Sequence, residues 1–427
     1  TMSFFAPLRP ITIAGLLTLS ASASAHSLVE AIHQALLYHP QIQASQYQVS
    51  AQQANFLNSQ SAFQPQIMLN SEIGRSSLST DSPFPESGSR WPNSINVVLS
   101  KTLYSGGALE AQTGIAKQQV AVSEAQLAQH KVTIAIQTIA AYANVIKQQQ
   151  LLGLYQQALQ TLTQAQKDTQ KRFMAGEVTK TDVALAEARV AEASANVQQT
   201  LANLHYAQAH LQQMTGSNID VQSHLPSLPM PKDLATAIQL AAKNPSIEAQ
   251  QHQLNAQQQG IDLANSEDKA HIVAEARLAS QDNTEFGYDR LSTWGVFVKA
   301  QVPLYQGERT KTKLQQAHAN YDSAQQQLQQ QKLVVEQGLT EAWYHWQAAQ
   351  SRVPAYQAQV KAADSAVLST RKELAVGTRT TLDLLNAERE LLNAQVNLLL
   401  SEQDQQLAAY QVLAMIGDLS VLEQANE

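Results

Sequence analysis

Apolar side chains recur every seventh residue without a break in residues 180–214, and with Gln405 as the one exception in residues 384–412. An apolar repeat held over five heptads predicts helices that supercoil against neighbours, rather than ordinary amphipathic core helices. About 68 residues between Gly107 and Gly176 would form a helix roughly 100 Å long. The repeated positions are Val183, Val190, Val197, Leu204 and Leu211, followed by Leu384, Leu391, Leu398, Gln405 and Val412.

Four shorter segments alternate apolar and polar residues with a period of two, which predicts β-strands. They are residues 66–75, 94–104, 271–280 and 293–305, with polar loops at 76–93 and 281–292. Strands with one apolar face suit a membrane β-barrel, although a soluble antiparallel sheet is the alternative for any single segment. Four strands cannot close a barrel, so several chains would have to assemble. The expected lipid-facing residues are Ile95, Val97, Leu99, Trp294, Val296 and Val298.

The sequence contains an internal duplication. Residues 172–216 align with residues 373–417 without a gap, which places Gly176 on Gly377 and Asp182 on Asp383. The same offset of 201 places LYSG at 103–106 on LYQG at 304–307. Each half therefore reads as helix, strand, loop, strand, long helix, tight turn and returning helix.

The duplication sets the expected domain boundaries. A first repeat covers residues 26–217 and a second covers 232–418, joined by a Pro-rich linker at 218–231 and followed by a tail at 419–427. Within the first repeat we expect one helix over 27–62, closed by Pro65, and a returning helix over 180–214.

Residues 1–25 have the pattern of a secretory signal peptide. Arg9 precedes a short apolar run, and Ala23-Ser24-Ala25 forms an A-x-A cleavage site. The chain has no cysteine, which excludes disulfides, thiolate metal sites, a cysteine nucleophile and a cysteine-linked lipid anchor. No later run of 18 apolar residues predicts a transmembrane helix.

Composition narrows the function further. The chain is rich in Ala, Gln and Leu, which favours long helices over an α/β enzyme. Its formal charge is −7, and the absence of a dense basic block argues against nucleic acid as a partner. The histidines are scattered without metal-ligand spacing, and no catalytic constellation stands out. We therefore expect no enzyme activity, no cofactor and no metal.

The sequence resembles the TolC family of outer-membrane efflux and secretion channels, and the resemblance covers residues 27–418. It is carried by SLVEAIHQALLYHPQI, by LYSGG and LYQGE, and above all by VGTRTTLDLLNAERELLNAQVNLL. The resemblance implies a mostly α chain that forms a homotrimer, with four strands per chain completing a 12-stranded barrel in outer-membrane lipid. The helices would continue as a hollow periplasmic cylinder, with the linker and tail in a belt around its middle.

By the same resemblance, the protein would be the passive exit duct of a tripartite efflux pump in a Gram-negative outer membrane. Its partners would be a periplasmic adaptor and an inner-membrane pump of RND, ABC or MFS type, and its cargo drugs or toxic small molecules. The alternatives are the duct of a type I protein secretion system and, from a different class, a periplasmic coiled-coil adaptor.

The two tight turns have helix-capping signatures. Thr179 with Asp182, and Thr380 with Asp383, fit the capping box, in which a hydroxyl and a carboxylate satisfy helix N-terminal amides. Gly176 and Gly377 fit left-handed residues that end the preceding helices. By resemblance, both turns are periplasmic tips, and Gly176, Gly377, Thr378 and Thr380 are candidate adaptor contacts.

The resemblance also assigns a gate to the tips. A cation near a helix N-terminus is unfavourable, so Arg379 should have a partner elsewhere; the family pattern gives Thr181 and Asp182 of a neighbouring hairpin. Asp383 would line the aperture as a ring of carboxylates that attracts cations. Two departures from the family pattern suggest a weaker gate: Leu374 replaces a tyrosine, and Asn386 replaces a second acid.

The junction between strands and long helices is the last candidate site. Glycine permits the sharp change of direction there, and tyrosine is common at membrane interfaces, although ordinary packing is an equal alternative. Trp343 and Trp346 should pack in a helix seam or in the belt. The junction residues are Tyr104, Gly106, Gly107, Tyr305 and Gly307.

Overall fold

The computed structural model describes residues 28–81, 87–226, 228–283 and 290–417. The proposed signal peptide at 1–25 and the tail at 419–427 lie outside these residues. The helices are α1 Leu28–Tyr38, α2 Pro40–Ser61, α3 Ala108–Met174, α4 Lys180–Thr215, α5 Leu234–Ala241, α6 Pro245–Asn265, α7 Arg309–Ala375 and α8 Thr381–Ile416. The strands are β1 Gln66–Ile73, β2 Ser76–Leu78, β3 Gly88–Arg90, β4 Asn93–Tyr104, β5 His271–Asp282 and β6 Arg290–Gln301.

The two long helices confirm the duplication. Helices α3 and α7 each contain 67 residues, which corresponds to roughly 100 Å. Helices α2 and α4 both pack along α3, and helices α6 and α8 both pack along α7, so two shorter helices match one long helix. The returning helices α4 and α8 contain 36 residues each, and α4 begins and ends within one residue of its predicted bounds, 180–214.

The prediction of one helix over residues 27–62 is wrong, because the helix is interrupted at His39. Pro40 has no N–H and disfavours a helical backbone at the residue before it. His39 is accordingly extended, with ψ 125°, and its ring nitrogen Nδ1 accepts a hydrogen bond from the Gln41 N–H at 3.3 Å. In the second repeat, the helical segment is interrupted in the same way at Asn244, which precedes Pro245 and has ψ 131°.

The four long strands form one antiparallel sheet in the order β1-β4-β5-β6, so that β4 of the first repeat pairs with β5 of the second. Three details of the prediction are wrong. The short strands β2 and β3 pair within the region predicted as a loop at 76–93. Residues 281–282 and 290–292, which were predicted as loop, belong to β5 and β6. Strand β6 ends at Gln301 rather than at Tyr305.

Two apolar clusters lie at mid-length along the long helices. The first surrounds Tyr142 and Ile146 of α3 and includes Leu225 of the linker. The second surrounds Leu339 and Trp343 of α7. Trp343 and Trp346 make an edge-to-face contact with ring centroids 5.2 Å apart, which agrees with the packing role predicted for them. The described residues include no helix long and apolar enough to cross a membrane.

Candidate functional site

Both hairpin tips end their first helix with the same backbone arrangement. Gly176 and Gly377 are left-handed, with φ 79° and 80°. The N–H of the residue after each glycine donates to a carbonyl five residues back, from Glu177 to Arg172 and from Thr378 to Glu373, both at 2.9 Å. These are the bonds of a Schellman motif, which satisfies carbonyls that a helix C-terminus leaves free. The predicted glycine caps are therefore confirmed.

Both tips then start their returning helix with a complete capping box, as the sequence predicts. The Asp383 carboxylate accepts hydrogen bonds from the Thr380 N–H at 2.9 Å and from the Thr380 hydroxyl at 2.8 Å. The Asp383 N–H donates to the same hydroxyl at 3.2 Å. Thr179 and Asp182 repeat this arrangement.

The caps also set the protonation of both acids. The hydrogen bonds from the Thr380 backbone and side chain hold the pKa of Asp383 below its ordinary value. The hydroxyl and backbone N–H of Thr179 do the same to the pKa of Asp182. Both carboxylates are thus charged at neutral pH.

Each tip carries one ion pair across its turn, and the two pairs have opposite polarity. Arg172 at the end of α3 lies 3.1 Å from Glu177, whereas the equivalent Glu373 at the end of α7 lies 2.9 Å from Arg379. Arg379 therefore has the acidic partner that its unfavourable position demands. Among the described residues that partner lies in its own hairpin, and the structure does not join Arg379 to Thr181 or Asp182.

A groove of about 750 Å³ separates the two hairpins of the chain near their tips. Arg172 and Asp168 line one side, and Arg371 and Leu374 line the other. The buried Thr381 also faces this groove, and its hydroxyl has no hydrogen-bond partner among the described residues. Leu374 thus lies in the groove where the family pattern has a tyrosine.

The remaining tip residues are polar and accessible. Asn386 and Thr181 are exposed, while Asp383 is half-buried. The hydroxyl of Thr378 donates to the Glu373 carbonyl at 3.0 Å, which fixes it within the turn. The structure therefore brings Arg379 and Asp383 into one tip and places Thr181 and Asp182 in the other.

The second hairpin is additionally linked by ion pairs between its two helices. Arg371 of α7 lies 2.6 Å from Glu388 of α8, and Arg352 lies 2.5 Å from Asp404. The internal alignment places Gln170 opposite Arg371 and Asn203 opposite Asp404, so the first hairpin lacks these pairs. Comparing charges between the repeats would have revealed this difference, which the predictions missed.

The strand-to-helix junctions depend on left-handed glycines, as predicted. The φ angles of Gly106, Gly107 and Gly307 are 68°, 93° and 64°. A Cβ on Gly106 would lie 2.5 Å from the Lys269 Cβ, so this position also requires a residue without a side chain. Tyr305 is 90% exposed in the single chain, beyond the end of β6.

The predicted apolar strand residues share one face of the sheet. Directly opposite residues in an antiparallel sheet lie on the same face. One row across the four strands consists of Leu69, Val97, Leu278 and Trp294, and the next consists of Ile67, Leu99, Ala276 and Val296. Ile95 and Val298 continue this face, and Trp294 is 80% exposed.

The opposite face of the sheet is mostly polar and carries an ion cluster. Glu275 accepts a hydrogen bond from Arg277 on the same strand. The Lys299 ammonium on β6 lies 2.6 Å from the same carboxylate. The sheet therefore separates an exposed apolar surface from a charged one.

Two buried tyrosines, one from each repeat, hold the linker, and the sequence reasoning missed both. The Tyr142 hydroxyl accepts a hydrogen bond from the Gln222 N–H at 2.7 Å, and the Tyr410 hydroxyl donates to the Pro226 carbonyl at 2.9 Å. Burial raises the pKa of Tyr410 well above its ordinary value of 10.0. Their partners are 80 and 184 residues away in sequence, so no local pattern could reveal them.

The described residues contain no group of three or more His, Asp or Glu side chains arranged to hold a metal ion.

The model of the family described as outer membrane efflux protein matches residues 31–217 and 237–418. The chain is similar to the outer membrane efflux protein BepC of Brucella suis, at 27% identity over 96% of this chain and 89% of BepC. It is 24% identical to the outer membrane protein TolC of Escherichia coli, over 90% of this chain and 82% of TolC.

Two further similarities concern secretion and fold. The protease secretion protein PrtF of Dickeya chrysanthemi is 28% identical over 52% of this chain and 50% of PrtF. The crystal structure of a membrane protein from Pseudomonas aeruginosa shares the fold, with a TM-score of 0.81 and 19% identity. That alignment covers 97% of this chain and 96% of the other.

Proposed function

The chain belongs to the outer membrane efflux protein family, and from this premise we propose that three copies form one continuous exit duct. The protein is an efflux channel of the Gram-negative outer membrane and not an enzyme. In the proposed duct, the four-stranded sheets of three chains join into a 12-stranded barrel, and the long helices line a periplasmic cylinder.

One observation carries this proposal: a sheet with an exposed apolar face is joined, through β4 and β6, to two helices of 67 residues each. An exposed apolar face across the four strands of this antiparallel sheet is costly in water and favourable in lipid. The opposite face, with Glu275 and Lys299, would line a water-filled lumen. The free edges of β1 and β6 need partners in lipid, because unpaired backbone groups there cost several kcal/mol each.

The tips would form the periplasmic gate of this duct. In the trimer, Arg379 would exchange Glu373 for Thr181 and Asp182 of a neighbouring hairpin, and this link would hold the aperture closed. Asp383 of three chains would form one acidic ring, while Asn386 would leave the second ring neutral. The groove beside Leu374 and Thr381, together with Gly176, Gly377, Thr378 and Thr380, would meet a periplasmic adaptor that connects the duct to an inner-membrane pump.

Reconstitution of the purified protein in planar bilayers tests the channel. We expect discrete conductance steps from trimers, and an Arg379→Ser variant should conduct more than the natural protein. Absence of any conductance from a folded, membrane-inserted trimer would contradict the proposal.

The cargo is a separate question, because the similarity to PrtF favours a second candidate, a duct for protein secretion. We propose small-molecule efflux as the main role, because BepC, which is 27% identical over 96% of this chain, is described as an efflux protein. Restoration of dye efflux in a host without its own channel would support this role. Restoration of protease secretion alone would favour the second candidate.

A further inference from the structure

Through the internal duplication, the two strands at the free edges of the sheet correspond to two strands that pair with each other inside the chain. Within the described residues, β1 pairs only with β4, and β6 pairs only with β5, so each has one unpaired edge. Strand β6 is the second-repeat counterpart of β4, and β5 is the counterpart of β1. We infer that β6 pairs with β1 of a partner subunit in the register that β4 makes with β5. This inference rests on the proposed trimer and specifies its interface.

Two sequence offsets fix that register. Helix α3 at Ala108–Met174 matches α7 at Arg309–Ala375, an offset of 201 that LYSG and LYQG extend to the strands before them. Helix α2 starts at Pro40 and α6 at Pro245, and β1 starts at residue 66 and β5 at 271, an offset of 205.

The known pairs of β4 with β5 can then be transferred. Ser100 of β4 pairs with Glu275 of β5. The counterpart of Ser100 in β6 is Gln301, 201 residues later, and the counterpart of Glu275 in β1 is Asn70, 205 residues earlier. The transferred register therefore pairs Gln301 with the partner subunit's Asn70. Val98 pairs with Arg277, and the same steps pair Lys299 with the partner subunit's Glu72.

The transferred register brings opposite charges together. Glu72 and Lys299 both lie on the polar face of the sheet. Within the chain, the Lys299 ammonium already lies 2.6 Å from Glu275, which also binds Arg277. The partner subunit's Glu72 would extend this cluster, so that acidic and basic groups alternate from one subunit into the next. Opposite charges directly across two strands are favourable.

The apolar face also agrees with the register. Val97 pairs with Leu278 inside the chain, and the transferred pair is Val298 with the partner subunit's Ile73. These side chains are 69% and 78% exposed in the single chain. The register would place two of the exposed apolar residues side by side.

The helices below the sheet show the same complementarity. Inside the chain, α3 packs on α6, where Gly114 leaves space for the Gln259 side chain. The equivalent contact between subunits places Gln315 of α7 against the partner subunit's Ala54, so a large and a small residue meet again with their roles exchanged. The pair of Gln118 and His252, 3.0 Å apart, becomes Ala319 and the partner subunit's Tyr47. Tyr47 is 75% exposed in the single chain.

Disulfide trapping can test the register directly, because the chain has no natural cysteine. The full-length variant Gln301→Cys with Asn70→Cys places two thiols directly opposite each other between subunits. Opposite Cα atoms lie about 4.5–5.5 Å apart, within disulfide range, whereas residues shifted by two positions lie about 7–8 Å apart. The matched control is Gln301→Cys with Met68→Cys, which uses the same face and a register shifted by two.

We expect oxidation of the first variant to give covalent dimers and trimers on a denaturing gel, about tenfold more than in the control. Equal or greater cross-linking of the control would overturn the register, as would an absence of cross-links in a sample that light scattering shows to be trimeric. A monomer in light scattering would instead contradict the proposed trimer on which the register rests.

A second measurement tests the contact between Lys299 and the partner subunit's Glu72, and it needs no introduced cysteine. Glu72→Lys would place two ammonium groups opposite each other, whereas Glu72→Gln only removes the attraction. We expect the trimer of the lysine variant to dissociate at a lower temperature than that of the glutamine variant. Equal dissociation temperatures would overturn the contact with Lys299.

Discussion

The Arg379 guanidinium lies 2.9 Å from the Glu373 carboxylate, and the first tip reverses this polarity with Arg172 and Glu177. Each pair spans a turn with the same backbone conformation. The backbone conformation of the tips therefore does not depend on whether the basic residue comes before or after the turn. The difference matters between hairpins. The second tip presents a cation after its turn, where a neighbouring hairpin can compete for it.

This competition predicts opposite effects from two substitutions in one ion pair. Glu373→Gln frees Arg379 for the neighbouring hairpin and should lower the conductance of the closed channel, whereas Arg379→Ser should raise it. Single-channel recording in bilayers measures both. Arg172→Ser is the matched control from the first tip and should have little effect. A shift in the same direction for both second-tip variants would contradict the competition.

Asp383 should give the channel its cation selectivity. Asp383→Asn keeps an oxygen that can accept the capping hydrogen bonds but removes the charge, so we expect selectivity to fall while the helix still forms. Asp182→Asn, in the equivalent cap, should raise conductance by weakening the link to Arg379, but it should lower selectivity less than Asp383→Asn does. Reversal potentials in a salt gradient measure this property. Equal loss in the two variants would show that Asp383 acts only as a cap.

The selectivity should also depend on acidity in a defined direction. The pKa of Asp383 is lowered from its ordinary value of 3.8, so the carboxylate remains charged as the pH falls to that value. Selectivity should therefore persist to about pH 4 and disappear as the pH falls through the lowered pKa. Asp383→Asn should remove this pH dependence. Loss of selectivity near pH 6 would point to a different group.

The adjacent glycines at the first junction should differ in their tolerance of alanine. Gly107 has φ 93° and open space around it, so Gly107→Ala should lower the free energy of unfolding by about 1–2 kcal/mol through backbone strain alone. Gly106→Ala should cost more, because its Cβ would lie 2.5 Å from the Lys269 Cβ. Urea denaturation followed by circular dichroism measures both. Equal costs would contradict the close contact.

The tyrosine anchors should make the linker sensitive to alkali. Burial raises the pKa of Tyr410, so above pH 10.0 the unfolded chain loses a proton that the folded chain keeps. The stability contributed by this phenol is therefore complete below pH 10.0 and is lost as the pH rises toward the raised pKa. The protection of linker amides against hydrogen exchange, relative to an unfolded chain at the same pH, should decrease over this range.

Tyr410→Phe provides the control for that titration. It removes the hydrogen bond to the Pro226 carbonyl, so we expect faster linker exchange at neutral pH and less alkaline dependence. An unchanged alkaline response in this variant would assign the effect to Tyr142 or to another group.

Local features were predictable wherever their cause lies within a few residues. The capping boxes at Thr179 and Thr380 and the left-handed glycines follow from short motifs, and the observed helices match them. The interruption of the helix at His39 was also predictable, since Pro40 and Pro245 occupy equivalent places in the two repeats. The helical pattern on both sides of Pro40 obscured it. The short strands β2 and β3 had no periodic pattern long enough to reveal them.

The sequence by itself determined the helices, their caps, the duplication and the alternation that gives the sheet an apolar face, because each depends on spacing along the chain. Tertiary structure alone decided that Arg371 and Arg352 link α7 to α8, and that two tyrosines hold the linker. Hydrogen bonds and ion pairs form only within a few ångströms. Which groups reach that distance depends on how the helices pack.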